Sequence, residues 1–498
     1  MSPVVVVTGG GNGIGAAVAA ECKRQGWYVV TVDPMVSLDG SEKVASSVPV
    51  AGDRAVDLSV TDSAGVRDLF ESLAEEFGRL DAVINVAGIS RPTSYTRGTE
   101  EDWHAVLDVH LNGYRSVLGA ALPLMEAAGY GRIVGVTSGS GWRAADTGAY
   151  GCAKRAVASL TWELGRHMPA GVTLNAMSPI AVTRMVTAAL GRAPSPPAGA
   201  ASTTGGLNLG SMPQPEEIGP LGAHLVRDEL GWMSGEIVFA GGAESAVVER
   251  PRLLEVVNAT GALSLAHLFE TTLPALLKAE QTQVSGGGSN PRFALDLAGE
   301  LPPPAVATCA VVSDRVDATA ALRAALTARK VTLTDDLGSA DAVVVWRRDV
   351  AAAGDDWQGI LAEHAGIVER IAADAAFART LADQRRPVRL VTLTDATTSA
   401  GRSRAQAAAQ LARSARSATK DNVAAFPVAV EADGWATAAE FAAHLVCSAD
   451  AAGLSGAELV VGDGWFGLRS HPRPSASIVL GEASIPPWFD GALRSIVE

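Results

Sequence analysis

Twice along the chain, short β-branched apolar runs alternate with segments of helical period, and this doubled alternation constrains the architecture more than any other feature. From Pro3 to about Val248 the runs VVVVTGG, YVVTVD, AVINVAG, GRIVGVTS, VTLNAMSP and GEIVFAGG read as six strands, each bounded by turn residues. Helical periods fill most of the intervals, as at Asp62 to Phe77 and Glu100 to Ala128. Apolar strands separated by helices build a parallel, doubly wound sheet. From Ala305 the pattern returns as VATCAVVSD, KVTLTDD, DAVVVWR, PVRLVTLTD, NVAAFPVAV and AELVVGDG. A chain of 498 residues is long for one core. The repeat predicts two tandem α/β domains, over residues 1–250 and 305–498, joined by a helical segment and linker over 251–304.

Two stretches interrupt the pattern. GRAPSPPAGAASTTGGLNLGSMP, at 191–213, is too poor in large apolar residues to bury much surface, and reads as a lid over the site or a disordered insertion. VSGGGSNP, at 284–291, marks the approach to the second half.

Charge and cysteine usage exclude several roles. A net charge of −14 disfavours nucleic acid or an anionic membrane as partner. Cys22, Cys152, Cys309 and Cys447 lie far apart and form no metal-ligand spacing, so no metal is expected. No basic leader precedes the first strand, and the apolar runs fall short of the ~20 residues that span a bilayer. A cytoplasmic protein is the expectation.

The segment Thr8 to Gly15, TGGGNGIG, follows the first strand directly and opens an Ala-rich helix. Glycines are required where backbone must turn tightly, approach a pyrophosphate and aim free N–H groups at it from a helix N-terminus. Thr8, Gly9, Asn12, Gly13, Ile14 and Gly15 are therefore expected to bind a dinucleotide. The second strand ends in Asp33, a carboxylate placed to accept from both ribose hydroxyls and to repel a 2′-phosphate. No arginine adjoins it in VDPMVSLDG, which favours NAD over NADP.

Three residues separate Gly9 from Gly13, a spacing that resembles the short-chain dehydrogenase/reductase family. Further motifs stand at matching places. Asp57-Leu58 resembles the family's adenine-binding step, and Asn85-Val86-Ala87-Gly88 its NNAG turn. Ser138 ends the fifth strand, Tyr150 to Lys154 matches YxxxK, and Pro179-Ile180 to Thr183 resembles the PGxxxT loop beside the nicotinamide. The resemblance covers residues 3–248 and implies a Rossmann-like fold, NAD as cofactor, and a small alcohol or ketone as substrate. It also implies roles. Tyr150 would be the acid–base group, with its pKa lowered by Lys154 one helical turn away. Ser138 would orient the substrate oxygen, and hydride would pass between nicotinamide and substrate carbon.

Two departures stand out. In Val109-His110-Leu111-Asn112-Gly113, His110 replaces the asparagine that supports a proton relay in the family; a histidine can relay protons or simply be hydrogen-bonded structure. The interval from Ser138 to Tyr150 is also one residue shorter than usual. The histidine and the SPIAVTRM loop are similar to the dehydrogenase units of multifunctional enzymes and to bacterial hydroxysteroid dehydrogenases. That similarity implies a 3-hydroxyacyl thioester or steroid-like alcohol as substrate.

The second half reads as a degenerate, non-catalytic copy. Its first strand is followed by RVDATAA, with no glycine to admit phosphates. Aligning GRIVGVTS with PVRLVTLT sets Thr394 opposite Ser138, and Gln406 and Gln410 at the spacing of Tyr150 and Lys154. Neither glutamine can act as phenolate or cation. Two other readings remain: a non-catalytic dinucleotide sensor or scaffold, and a regulatory second half with a ligand of its own. A tandem chain can satisfy one family interface internally, so a homodimer with a tetramer-like body of four such domains is expected.

Overall fold

The computed structural model describes residues 2–44, 51–191, 212–281, 301–348, 350–384, 386–420, 422–482 and 484–498. The stretch 284–291 and nearly all of 191–213 lie outside them. Among the described residues the strands, in chain order, are β1 (Val4–Thr8), β2 (Tyr28–Val32), β3 (Arg54–Val56), β4 (Ala82–Asn85), β5 (Gly131–Val136), β6 (Val172–Pro179), β7 (Ile237–Ala240), β8 (Glu244–Glu249) and β9 (Leu253–Asn258). The second half adds β10 (Thr308–Ser313), β11 (Thr332–Leu333), β12 (Ala342–Arg347), β13 (Val388–Asp395), β14 (Val423–Val430), β15 (Glu458–Gly462), β16 (Trp465–Arg469) and β17 (Arg473–Val479).

One sheet runs β17-β8-β7-β6-β5-β4-β1-β2-β3 and the other β11-β10-β12-β13-β14-β15-β16-β9. Strands β1 to β7 pair in parallel, with β8 turning back antiparallel. The second sheet has the same order and sense, except that no described strand corresponds to β3. Both halves are doubly wound α/β units. The buried faces of β1, all valine from Val4 to Val7, fit a parallel strand covered by helices on both sides.

The closing strands are exchanged. Strand β9, which follows the first half in sequence, pairs with β16 in the second sheet, whereas β17 returns from the far end to pair with β8. The helix Leu265–Gln281 buries Leu268, Phe269, Leu273 and Leu276 in the second core. Conversely, the terminal helix Phe489–Val497 buries Phe489 and Leu493 against Val18, Ile218 and Val247 of the first. The expected linker over 251–304 thus contains a strand and a helix of the second body, and residues 473–497 pack on the first. Local pattern cannot reveal such pairing, because it depends on which sheet edge lies within reach.

The halves pack through the helices Gly148–Leu164 and Ser399–Thr419, whose alanine-rich faces share one core with both bodies. Polar contacts fix the register. Gln410 Nε2 donates to the Thr147 hydroxyl at 2.9 Å, Arg402 meets Glu163 at 2.7 Å, and the Tyr95 hydroxyl donates to the Ala378 carbonyl at 2.7 Å.

Candidate active site

Strands β1, β4, β5 and β6 end around one cleft of about 990 Å³. Its floor is the glycine loop. Gly9 and Gly13 adopt φ of +66° and +52°, where glycine carries no penalty. A Cβ on Gly15 would lie 2.1 Å from the Gly9 carbonyl oxygen, so no larger residue could let the helix Gly13–Arg24 start so close to the strand. Below the loop, the buried Thr8 hydroxyl donates to Asn85 Oδ1 at 2.7 Å and accepts from the Ala87 N–H, tying β1 to β4. At Gly9 and Gly15 a Cβ would meet backbone atoms within 3 Å, so the loop is left as bare backbone.

Of the residues expected to bind the dinucleotide, all but Thr8, Asp57, Asn85 and Ile180 line the cleft. Thr8 and Asn85 brace it from beneath. The Ile180 N–H donates to the Ala240 carbonyl, and Thr183 Oγ1 accepts from the Val186 N–H at the start of the next helix. Asp33 stands at the end of β2, where its carboxylate accepts from the Gly11 N–H at 3.0 Å and the Met35 N–H at 2.8 Å. Asp57 instead forms an exposed ion pair with Lys43, whose ammonium also donates to the Pro34 carbonyl at 2.8 Å. Lys43 lies ten residues beyond Asp33 and outside the VDPMVSLDG loop, so proximity in sequence does not disclose it.

Ser138, Tyr150, Lys154 and His110 converge on the same cleft. Ser138 accepts from the Ser140 N–H at 3.2 Å as its chain turns into a short 3₁₀ segment. Burial pushes the Tyr150 phenol up, and a hydrogen bond with Ser138 pulls it partly back. Lys154 lies 5.7 Å from the centre of the Tyr150 ring and donates to the Val136 carbonyl at 2.6 Å. Burial pushes its ammonium down to about 7. In this geometry burial acts on both groups, disfavouring the Tyr150 phenolate and the Lys154 ammonium alike.

His110 occupies a π turn, Asp108–Asn112, between two α-helical segments, an irregularity common at functional sites. Its ring stands edge-on to Tyr150, with centroids 5.0 Å apart. Nε2 faces the Ile89 carbonyl at 2.9 Å and so carries the proton; Nδ1 is buried without a partner among the described residues. Burial holds the imidazole at about 3, hence neutral. A Cβ on Gly88 would lie 2.4 Å from His110 Cε1, which explains the glycine there.

Among the described residues the second half shows no counterpart of this arrangement. Between β10 and the helix Val316–Ala328 only Asp314 and Arg315 intervene, against Gly9 to Asn12 in the first half. Arg315 lies 3.5 Å above the Trp435 ring and pairs with Asp395 at 3.3 Å, placing side chains where a cradle would need bare backbone. The ladder register also revises the sequence alignment. Ala82 pairs with Arg132 and Ala342 with Arg389, so six residues on from each stand Ser138 and Asp395, not Thr394. An apolar pattern alone cannot resolve a one-residue shift. Gln406 and Gln410 face the first half instead. All five tyrosines of the chain precede residue 151, so no phenol is available in the second copy.

A family model described as enoyl-(acyl carrier protein) reductase matches residues 9–242. The short-chain reductase protein NovJ of Streptomyces niveus is 32% identical over 247 residues, 48% of this chain and 92% of its own length. The chain belongs to the short-chain dehydrogenase/reductase family. As a member, it is an oxidoreductase of a family that uses nicotinamide cofactors. The cis-4-hydroxycyclohexanecarboxylate dehydrogenase of Sinomonas cyclohexanicum is 33% identical, covering 49% of this chain and 97% of that protein. The meso-2,3-butanediol dehydrogenase of Serratia marcescens is 30% identical, covering 50% and 98%. No described helix of this short-chain dehydrogenase/reductase is long and apolar enough to cross a membrane, and no described cluster could hold a metal.

Proposed function

We propose that the first half is an NAD-dependent dehydrogenase interconverting a secondary alcohol and a ketone, and that the second half is a non-catalytic partner domain. The observation that carries this reading is the convergence of Ser138, Tyr150 and Lys154 on a cleft floored by the glycine loop. The cradle fits a dinucleotide, with Gly13 to Gly15 against the pyrophosphate and Asp33 at the adenosine ribose. When bound, the nicotinamide supplies the hydride donor or acceptor.

The protein's own part is positioning and proton transfer. In alcohol oxidation, Ser138 hydrogen-bonds the substrate hydroxyl while Tyr150, in its phenolate form, takes the hydroxyl proton as the adjoining carbon loses hydride. Reduction reverses each transfer. Tyr150 must give up its own proton for this, and the cationic form of Lys154 favours that ionisation. The low pKa of Lys154 makes the ammonium easily lost without ligands, so the ribose hydroxyls are the partners expected to hold it charged. His110, neutral and edge-on to Tyr150, offers Nδ1 as an acceptor for a proton relay. We place the protein in the cytoplasm as a homodimer, two chains forming a body of four similar domains with two active sites.

The test is turnover of a panel of secondary alcohols with NAD. Tyr150→Phe is expected to lower the rate by ~10²–10⁴-fold with NAD affinity nearly unchanged. A variant that keeps more than about a tenth of the rate contradicts the assignment. A dinucleotide sensor would bind NAD without turning over any alcohol.

A further inference from the structure

Tyr150 stands in the first turn of the helix Gly148–Leu164, so whatever fixes the residues just before it also fixes the phenol. Those residues have little freedom. Gly148 adopts φ of +55°, and a Cβ on it would lie 2.2 Å from the Thr93 carbonyl oxygen. Gly151 comes so close to Thr147 that a Cβ would meet the threonine Oγ1 at 1.9 Å. Asp146 accepts from the Tyr95 N–H at 2.8 Å and also from the Gly148 N–H.

Thr147 holds the N-cap position of the helix, yet its hydroxyl makes no capping bond to the helix's own N–H groups. It accepts instead from Gln410 Nε2 of the second half at 2.9 Å, and the same nitrogen donates to the Arg143 carbonyl at 3.2 Å. A carbonyl can only accept, so the nitrogen of this amide, not its oxygen, must face the turn. Gln410 is wholly buried, and its Oε1 has no partner among the described residues. That buried oxygen lowers stability in a way an apolar side chain would not, which sets the two bonds of the nitrogen apart from simple core packing. A second contact acts on the same segment. Tyr95, whose N–H reaches Asp146, donates its hydroxyl to the Ala378 carbonyl, and Arg379 Nε donates to the Tyr95 carbonyl at 3.0 Å. The turn before Tyr150 is thus gripped twice by the second half.

We propose that Gln410 is a positioning residue for catalysis: through Thr147 and the Arg143 carbonyl, the second half sets where Tyr150 stands, and the site is complete only with that half in place. The inference rests on the dehydrogenase reading above. Gln410 touches neither cofactor nor substrate. Its effect is confined to the placement of the phenol, because the glycine loop and Asp33 are built on β1 and β2 and have no contact with it. A misplacement of about 1 Å at a reacting group can lower a rate by ~10²-fold.

The test uses the full chain with NAD and three secondary alcohols, 2-butanol, meso-2,3-butanediol and cyclohexanol. Gln410→Met keeps the length of the side chain and removes the donor. It is expected to lower kcat by roughly 10- to 100-fold, with KM for the alcohol and NAD affinity within about twofold of the parent. Thr147→Val should do the same and Thr147→Ser should retain most of the rate. Gln410→Met/Thr147→Val should be no slower than the slower single variant, since both remove one interaction. Arg402→Gln breaks the contact with Glu163 at the far end of the same helix and should leave kcat within about twofold. Hydrogen exchange of the Gly151 amide, which donates to the Thr147 carbonyl, gives a readout free of turnover. It should quicken in Gln410→Met and Thr147→Val and stay unchanged in Thr147→Ser and Arg402→Gln. A parental kcat in Gln410→Met, or an equal loss in Arg402→Gln, overturns this proposal and leaves the dehydrogenase reading standing. A chain that binds NAD but oxidises none of the three alcohols overturns both.

Discussion

The residue that follows Lys154 joins the two halves: Arg155, wholly enclosed, places its guanidinium on the carboxylate of Glu458 in β15 of the second half. Arg155 Nε also donates to Gln406 Oε1 at 2.9 Å, Gln406 donates to Glu458 at 2.5 Å, and His471 Nδ1 lies 3.3 Å from the guanidinium. The helix bearing Tyr150 and Lys154 is therefore fixed from outside its own domain.

Breaking a buried pair leaves a charge without a partner, which typically costs about 3–5 kcal/mol, whereas replacing both members with apolar residues costs far less. Glu458→Gln and Arg155→Met are each expected to destabilise the chain by about 3 kcal/mol in urea unfolding, and the double change Arg155→Met/Glu458→Leu by less than either. Because the pair orders the helix of Lys154, the single variants should also lose activity. Additive losses in the double variant would show that the two side chains do not interact.

Much of the first site is legible in the sequence. Gly9, Gly13 and Gly15 sit where only glycine lets the backbone turn and close, and a four-residue step puts Tyr150 and Lys154 on one helix face. These are local constraints. The exchange of β9 and β17 is not local: RPSASIV could pair with any free edge, and only the packing of Phe489 and Leu493 ties it to the first sheet. The refilling of the second cradle by Arg315 and Trp435 joins residues far apart in the chain.

Acid should destabilise the chain in a defined window. Burial holds His110 and His444 at about 3 and His364 at about 4, and His471 well below its usual value. An unfolded chain protonates such imidazoles near pH ~6.5, so between that pH and about 4 the unfolded state binds more protons. Stability is accordingly lost as pH falls through that range, and His110→Asn should remove one histidine's share of the slope in unfolding measured at about pH 7 and pH 5. The same neutrality bears on catalysis. His110→Ala should slow turnover, His110→Asn should largely preserve it, and neither the wild type nor the asparagine variant should show an ionisation of residue 110 above about pH 5. Full rates in the alanine variant would return His110 to a structural role.

Asp33 should reject NADP by charge repulsion, so that kcat/KM with NAD exceeds that with NADP. Asp33→Asn removes the charge and keeps one of the two oxygens that accept from the Gly11 and Met35 N–H groups. It should relax the preference roughly tenfold without reversing it, because no arginine replaces the lost carboxylate. Equal efficiency of the wild type with both cofactors would instead point to Lys43 neutralising the site.

Calorimetric titration of the full chain with NAD tests the central claim most directly: that one half holds a working dinucleotide cradle and the other has lost it. One NAD per chain is predicted. Binding should be abolished by Gly15→Val, which would drive a side chain into the Gly9 carbonyl, and should survive Arg315→Ala in the second half. Two NAD per chain, or binding that persists in Gly15→Val, would contradict the account.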